Sequence, residues 1–406
     1  MKHRTLNKTS NSSKLVLPVV LACMGFSWLI CLAWLSQSAF DRVSDLPEFY
    51  VPLKMILNGL GAKIYDLTEL ARVEHFYFPL VEGRVVALYW PPVGIPFLLP
   101  LGLVPVEVVL WIWKSVLIIC LLFSILFLRL TFRLSAVSTA WLAAILFFSG
   151  SIYEALRIDQ VATILFMFFA AALWALKKKR PYLAAIALAG LLGKPQEILP
   201  FIVFLGGARQ YKTVWALCLL TLALTLVAFL LIGQEGFSNY ASLINSSIAD
   251  NSILVSDISC TLRGQLFRLF PDSKLSMHYT SLFVLSLSLL AIFFLGAKVR
   301  YKAKWLELGL ISVMPLGLVS APYCYYYDLL LIVPSALLLM TEFEPELPPF
   351  GILCGMLGGL GFMLPFSIFI HSQIILKGAK FNPHFFLLLA FAVSCWCFVN
   401  NKIRAR

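Results

Sequence analysis

Long apolar runs separated by short polar gaps dominate the chain from about residue 108 onwards, and one further run precedes them near the N-terminus. A helix of about 20 residues, rising about 1.5 Å per residue, is long enough to cross the hydrocarbon core of a bilayer. Lipid offers the backbone no hydrogen-bond partner, so the crossings must be helical. The pattern predicts an all-α, polytopic transmembrane helical bundle with about twelve crossings. The predicted crossings are residues 16–35, 108–128, 136–150, 161–176, 183–192, 198–207, 214–232, 279–295, 305–319, 329–340, 350–370 and 385–398.

Two of these runs, residues 183–192 and 198–207, are short for a crossing. They borrow flanking residues or meet at Lys194-Pro195 as broken helices, a pattern that often lines a cavity. No internal repeat and no low-complexity linker is visible in the chain. We therefore predict a single membrane domain over residues 1–406.

The first polar stretch, residues 36–106, is predicted to be a large outer loop that carries short interfacial helices. Residues 52–60 favour a short helix that ends at Asn58-Gly59. The apolar run at 90–104 contains several prolines, so we expect it to lie in the outer leaflet without crossing.

Composition narrows the class of protein. Apolar residues make up 61% of the chain and charged residues 13%, which excludes a soluble globular protein. The net charge is +12, but Lys and Arg lie mainly in short gaps between apolar runs, where they set membrane orientation. These gaps predict a multi-pass protein of the plasma (inner) membrane with both termini cytoplasmic. The longer acidic and aromatic loops then face outside, and no nucleic-acid partner is expected.

Several kinds of chemistry have no signature in the sequence. It contains no Walker loop, no GxGxxG, no HExxH and no GxSxG in a suitable context. The nine cysteines form no CxxC pair, and the five histidines lie far apart in the sequence. We therefore predict no metal site and no cofactor. There is also no soluble nucleotide-sugar domain, so an activated sugar would have to arrive on a lipid.

Three carboxylates, Asp41, Asp45 and Glu48, follow the first apolar run within eight residues. A carboxylate there can act as a general base that removes a proton from an attacking hydroxyl. Asp45 is the best placed, because Pro47 and Tyr50 follow closely and can fix its position. The alternative is a solvated loop after a membrane helix, where carboxylates are ordinary.

Three later polar stretches are predicted on the same membrane side. Asp159-Gln160 precedes an apolar run, where the aspartate could instead cap a helix. Lys194, with Gln196 beside it, could bind a phosphate, or its amino group could snorkel to headgroups. The tyrosine-rich stretch that ends in Tyr326-Tyr327-Asp328 suits a sugar or a prenyl chain, or else forms an interfacial aromatic belt with a capping aspartate.

The order and spacing of these stretches resemble the polyprenol-phosphate-dependent glycosyltransferases of the GT-C superfamily, and in particular glycosyltransferase family 87, which contains mannosyltransferases of the bacterial cell envelope. The resemblance covers about residues 40–340. Two features depart from it: the family often has Gly where Asp159 stands, and the cluster after residue 320 is unusually rich in tyrosine. The matching pieces are Asp45 with Tyr50, Gly59 with Tyr65-Asp66, Tyr89-Trp90-Pro91-Pro92, Asp159-Gln160, Lys194-Pro195-Gln196, and Ser320-Ala321-Pro322 leading to Tyr327-Asp328.

The resemblance implies a reaction and a set of roles. A hexose (mannose-like) or a pentose would move from a polyprenyl-phosphate donor to an envelope lipid or glycan acceptor, with inversion. Asp45 would be the catalytic base, and Lys194, with Arg157 or Arg263 as further candidates, would neutralise the leaving phosphate. Membrane lipids, the lipid-linked donor and the acceptor are the expected partners. The predicted substrate-binding residues are Glu48, Tyr50, Tyr89, Asp159, Gln160, Lys194, Gln196, Tyr326, Tyr327 and Asp328.

Two other classes remain open from the residues alone. A transporter or lipid flippase would also show broken helices and a buried lysine, but it more often shows repeats and charges at the bilayer midplane. An inactive envelope scaffold would not need charged groups next to several helix ends. The clustering of charged groups on one predicted face favours an enzyme.

Overall fold

The computed structural model describes residues 44–79, 85, 87–147, 149–250, 259–299, 303–341 and 380–404. Every regular element in these ranges is helical, which confirms the all-α prediction for this part of the chain. The predicted crossings at 16–35 and 350–370 lie outside the described residues, as does Asp41.

Short helices form the described part of residues 36–106. Helix α1 (Leu46–Leu57) begins six residues before the predicted start at 52, but it ends at Asn58-Gly59, as predicted, because Gly59 has a φ of 78°, a left-handed conformation that glycine adopts without strain. Helix α2 (Leu67–Tyr77) begins after Asp66, whose side chain accepts hydrogen bonds from two backbone amides. Helix α3 (Ile95–Leu98) lies between 3₁₀ turns at Pro92–Gly94 and Leu99–Leu103. The proline-rich run, which was predicted to be a helix lying in or dipping into the outer leaflet, is therefore helical but divided into short turns. Its place in a membrane stays a prediction.

Within the described residues, four helices are long and apolar enough to cross a membrane. A fifth candidate is the pair α5 (Ala136–Phe147) and α6 (Gly150–Arg157), which bends by 53°. About twelve crossings therefore remain a prediction. The four long helices are α4 (Val106–Phe132), α10 (Tyr211–Asp250, broken at Gly233), α12 (Lys274–Val299) and α15 (Pro383–Arg404).

Shorter helices fill the space between the long ones, and aromatic rings and close backbone contacts hold them together. Phe169 and Phe201 pack with ring centroids 4.9 Å apart. Gly207 and Gly296 let two helices approach closely, because a Cβ atom at either glycine would collide with the facing backbone. The shorter helices are α7 (Ala162–Lys177), α8 (Pro181–Ala189), α9 (Pro195–Gly207), α11 (Leu262–Leu269), α13 (Ala303–Ser320) and α14 (Val333–Thr341).

The predicted break between two short helices is confirmed. Helix α8 ends at Ala189 and α9 begins at Pro195, with a tight turn over 190–194 between them. Proline suits the first turn of α9, since it has no amide hydrogen to leave unpaired. The break brings Lys194 to the start of a helix inside the protein, where its side chain is 6% exposed.

Candidate active site

Asp45 stands directly before α1 and is tied to the turn between α6 and α7. The Gln160 side-chain amide donates a hydrogen bond to Asp45 Oδ2 at 2.6 Å. The Asp45 backbone amide donates to the Ile158 carbonyl at 2.7 Å. The residue is half-buried, and these two bonds hold it in place. The first stretch and the Asp159-Gln160 stretch therefore form one unit.

Asp159 lies at the centre of a buried network next to that unit. Lys114 Nζ and Ser44 Oγ each donate to its carboxylate at 2.7 Å. The Trp113 indole donates to the Asp159 carbonyl at 2.8 Å, and Lys114 also donates to the Leu156 carbonyl at 2.8 Å. The carboxylate of Asp159 is thus already engaged by protein groups, and its predicted contact with substrate remains untested.

The backbone of Asp159 is unusual for a residue with a side chain. Its φ is 63°, in the left-handed region that glycine favours. Burial raises the pKa of the Asp159 carboxyl, although Lys114 and Ser44 stabilise its charged form. The N-cap of α7 is Val161, so the alternative that Asp159 caps this helix is wrong. The strained turn instead directs Asp159 towards Lys114 and Gln160 towards Asp45.

Lys194 forms a second buried cluster with carboxylates. Its amino group donates to Asp328 Oδ1 at 2.5 Å and lies 3.8 Å from Glu197 Oε1. The same amino group sits 4.9 Å from the centre of the Tyr327 ring. The lysine is therefore paired inside the protein, and the alternative that it snorkels to headgroups is wrong. Asp328 Oδ2 also accepts a hydrogen bond from the Tyr325 amide at 3.0 Å, so the capping role considered for Asp328 is real.

The Lys194 cluster has polar groups that the described protein leaves without hydrogen bonds. Glu197 is 1% exposed, yet neither of its carboxylate oxygens accepts a hydrogen bond from the described residues. The Gln196 side-chain amide nitrogen is buried and also has no acceptor in the described part of the chain. Buried polar groups are normally paired, so this cluster has capacity for a polar ligand.

Trp90 connects the first outer segment to the Lys194 turn. Its ring packs edge-on against Phe49 of α1, with centroids 5.7 Å apart. The other side of the indole covers Gly193, where an added Cβ would come within 2.4 Å of the ring. Tyr65 donates a hydrogen bond to the Trp90 carbonyl at 2.7 Å. Tyr89 precedes this tryptophan and is half-buried. The tyrosine–tryptophan motif and the lysine motif therefore lie side by side.

The tyrosine-rich stretch joins both clusters. A 3₁₀ helix at Tyr326–Ile332 packs against α6, and Ser151 of α6 donates to the Tyr326 carbonyl at 3.0 Å. Asp45 and Glu48 lie close enough to Tyr327 for their charges to act on its phenol. The four sequence stretches thus meet in one region around Tyr327, which lies near both Asp45 and the Lys194–Asp328 pair.

Tyr50 belongs to the packing beneath this region. Its side chain is fully buried, and its hydroxyl donates to the Val104 carbonyl at 2.8 Å. Its ring packs edge-on against Tyr77 and Phe78. Burial, together with Tyr77 and Glu107, raises the pKa of the Tyr50 phenol to about 12. The substrate contact of Tyr50 stays a prediction, and the contacts of its side chain described here are all with other residues of the protein.

Sequence reasoning missed Lys114 and Trp113, which together hold the Asp159 turn. Lys114 is 6% exposed and lies within an otherwise apolar stretch of α4. A lysine in such a position needs a partner or access to water, and that need was visible in the sequence. The identity of the partner, 45 residues further along, was not.

One comparison with known proteins gives a match. The sequence model described as glycosyltransferase family 87 matches residues 88–322, which is more than half of the chain. No curated protein and no solved structure matches. The matched range includes Gln160 and Lys194, whereas Asp45 and Asp328 lie outside it.

Proposed function

The chain belongs to glycosyltransferase family 87, and from this we propose that it transfers a hexose, mannose-like, or a pentose from a polyprenyl-phosphate donor to an envelope lipid or glycan. Family membership makes it a membrane glycosyltransferase and disfavours the transporter and scaffold alternatives. One observation supports the finer proposal. Asp45, which accepts a hydrogen bond from Gln160, lies in the same region as the Lys194–Asp328 cluster.

In the proposed reaction, the oxygen of an acceptor hydroxyl attacks the anomeric carbon of the donor sugar. The bond between that carbon and the phosphate oxygen breaks, and polyprenyl phosphate leaves with the bonding electrons. The proton of the hydroxyl passes to the Asp45 carboxylate and later to water. One displacement inverts the anomeric centre, and no further co-reactant is required.

Asp45 suits the role of base because its position is fixed while its carboxylate stays partly open. The bond from Gln160 and the backbone bond to Ile158 restrict both the side chain and the main chain. Such positioning brings a base within hydrogen-bond reach of the proton that it removes. Tyr327 and Tyr326 lie nearby with aromatic faces, and Glu48, Gln196 and Tyr89 add polar groups that suit a sugar.

The purified full-length protein should consume a polyprenyl-linked sugar when membrane lipid extract supplies the acceptor. Asp45→Asn keeps the shape of the side chain but cannot take the proton. Turnover should therefore fall by about 10²–10⁴-fold with donor binding largely kept, since general-base catalysis is worth about that much. Thin-layer separation of radiolabelled lipid-linked sugars measures consumption, and the anomeric configuration of the product tests inversion.

Glu69→Gln serves as the matched control, because Glu69 is a carboxylate in the same outer segment that pairs with exposed Arg72. It should leave turnover unchanged. Near-normal turnover in Asp45→Asn would remove the base assignment. Failure to consume any member of a panel of polyprenyl-linked hexoses and pentoses would contradict the donor class.

A further inference from the structure

The strongest unexplained group outside the Asp45 and Lys194 clusters is Arg263 on α11. The residue is 4% exposed, yet its Nε and Nη2 atoms have no hydrogen-bond acceptor in the described part of the chain. Among the described residues, its side chain contacts the ring of Phe267, 5.3 Å away on the same helix. Burial lowers the pKa of this guanidinium, and no carboxylate in the described part of the chain counters the effect. A buried, unpaired guanidinium is expensive, so its geometry points to an anion that binds there.

A second basic side chain, that of His278, lies near Arg263. His278 lies near the start of α12, close enough for the Arg263 charge to act on its imidazole. The Nδ1 atom of His278 is buried and has no hydrogen-bond partner in the described residues. A bound anion with its oxygens and hydroxyl would give hydrogen-bond partners to the unpaired atoms of both side chains.

The position of this pair is fixed to the candidate active site. The segment before α11 is bonded to the tyrosine-rich stretch: the Cys260 amide donates to the Cys324 carbonyl at 2.8 Å, and the Cys324 amide donates to Ser259 Oγ at 3.2 Å. Thr261 then caps α11 by accepting from the Gly264 amide. Arg263 is thereby anchored to the same loop that carries Tyr326, Tyr327 and Asp328.

Three other cations near the site are already paired with carboxylates. Lys194 is bonded to Asp328, and Lys114 is bonded to Asp159. Arg157 forms a two-bond pair with Glu154. Arg263 differs because its planar donor fork, which matches two oxygens of a phosphate, is unused.

We propose that Arg263, with His278, binds the phosphate group of the lipid-linked sugar and of the polyprenyl phosphate that leaves. This inference rests on the proposed function for the identity of the anion. It adds the side chains of α11 and α12 to the phosphate site, while Lys194 stays bonded to Asp328. The bond between sugar and phosphate would then lie between Arg263 and the Asp45 carboxylate.

The test uses the full-length protein in phosphatidylcholine nanodiscs and needs no sugar transfer. Binding is measured as the shift in melting temperature on titration with three probes: a polyprenyl phosphate, phosphatidylglycerol and inorganic phosphate. Polyprenyl phosphate should bind the wild type, and Arg263→Met should weaken this binding about ten- to hundredfold, the loss expected for charge-assisted hydrogen bonds. Arg263→Lys keeps the charge and loses the fork, so its affinity should fall between the two.

Arg72→Met is the matched control, because Arg72 is an exposed arginine paired with Glu69, and its binding should equal that of the wild type. Equal binding of polyprenyl phosphate to the wild type, Arg263→Met and Arg263→Lys would overturn the proposal. If phosphatidylglycerol binds as tightly as polyprenyl phosphate and loses as much in Arg263→Met, the site is a general headgroup site and the assignment to the donor fails. Should Arg263→Met fail to fold, Arg263→Lys and His278→Ala provide the comparison.

The outcome is separable from that of the proposed function. Loss of polyprenyl phosphate binding in the Arg263 variants supports the site even if no sugar is transferred. Conversely, sugar transfer that persists with unchanged donor affinity in Arg263→Met contradicts this inference and leaves the role of Asp45 intact.

Discussion

Lys114 and Lys194 are both buried lysines bonded to an aspartate, but their surroundings differ. Lys114 has two acceptors, and its partner Asp159 is bonded by three side chains, so the group is closed. Lys194 has two carboxylates close by, one of which, Glu197, accepts no hydrogen bond from the described residues. A cluster whose polar atoms are all hydrogen-bonded holds one fixed shape, whereas a cluster with unpaired polar atoms is suited to bind a ligand.

The largest effect on stability is expected from removing Lys114 from its bond with Asp159. Lys114→Met keeps the length of the side chain and leaves the Asp159 carboxylate buried without its main partner. Removing one member of a buried pair typically costs about 3–5 kcal/mol, so the melting temperature should drop sharply. Differential scanning fluorimetry in detergent measures the drop, with Ser115→Ala, a neighbouring exposed position, as the control.

A double variant tests whether Lys114→Met destabilises the protein by leaving the Asp159 charge unpaired or by loss of packing. Asp159→Gly removes the carboxylate and relieves the left-handed backbone at φ 63°. Lys114→Met combined with Asp159→Gly should therefore be more stable than Lys114→Met alone, because no buried charge is left unpaired. If the two effects simply add, Lys114 does not stabilise the protein through Asp159.

The next largest effect is expected on donor affinity, from changes in the Lys194 cluster. Lys194→Met should lower affinity for the donor by about 1–3 kcal/mol if the amino group contacts it directly. The double variant Lys194→Met with Asp328→Asn removes both charges and helps to keep the fold while affinity is measured. Titration with a polyprenyl-linked sugar provides the measurement.

The other buried lysine provides the control for Lys194→Met. Lys114→Met, in whatever fraction remains folded, should bind the donor like the wild type, because its cluster has no spare polar group. Unchanged donor affinity in both lysine variants would restrict Lys194 to holding Asp328, and it would leave Arg263 as the cation for the phosphate.

The smallest effect is expected at Tyr50, which sequence motifs assign to the site and packing assigns to the interior. Tyr50→Phe removes one hydrogen bond to the Val104 carbonyl and should cost about 1 kcal/mol of stability. Turnover and the KM for the donor should stay within about twofold of the wild type, because no bond to the substrate is lost. A clear rise in KM with normal stability would return Tyr50 to the substrate-binding residues.

The sequence allowed the helical class and the meeting of distant motifs to be predicted. Helix breaks at Asn58-Gly59 and Lys194-Pro195 follow from local backbone preferences, so they were accessible. The order and spacing of the motifs, which resemble those of family 87, led to the prediction that Asp45, Gln160 and Lys194 share one site. Those inferences depend on short stretches of chain or on the order of motifs along it.

Pairings between distant side chains were not accessible in the same way. Lys194 was expected to meet a phosphate, yet it is bonded to Asp328, 134 residues away. Lys114 and Asp159 depend on the packing of α4 against α7 and on a left-handed residue, neither of which a single sequence specifies. The unpaired state of Arg263 was likewise invisible, because it depends on which carboxylates the fold brings near.

The break at Gly233 has a consequence for the order in which the protein is made. Beyond it, Glu235 and Asn239 contact Lys63 and the Ala62 carbonyl, which precede them by 172 and 177 residues. During synthesis, the segment that contains Ala62 and Lys63 is therefore made long before the second half of α10 exists to dock against it. The bond between Lys194 and Asp328 must wait for a further 134 residues after Lys194 emerges. A nascent chain shorter than 328 residues lacks Asp328, so the Lys194–Asp328 pair of the candidate site can form only after about four fifths of the chain has been made.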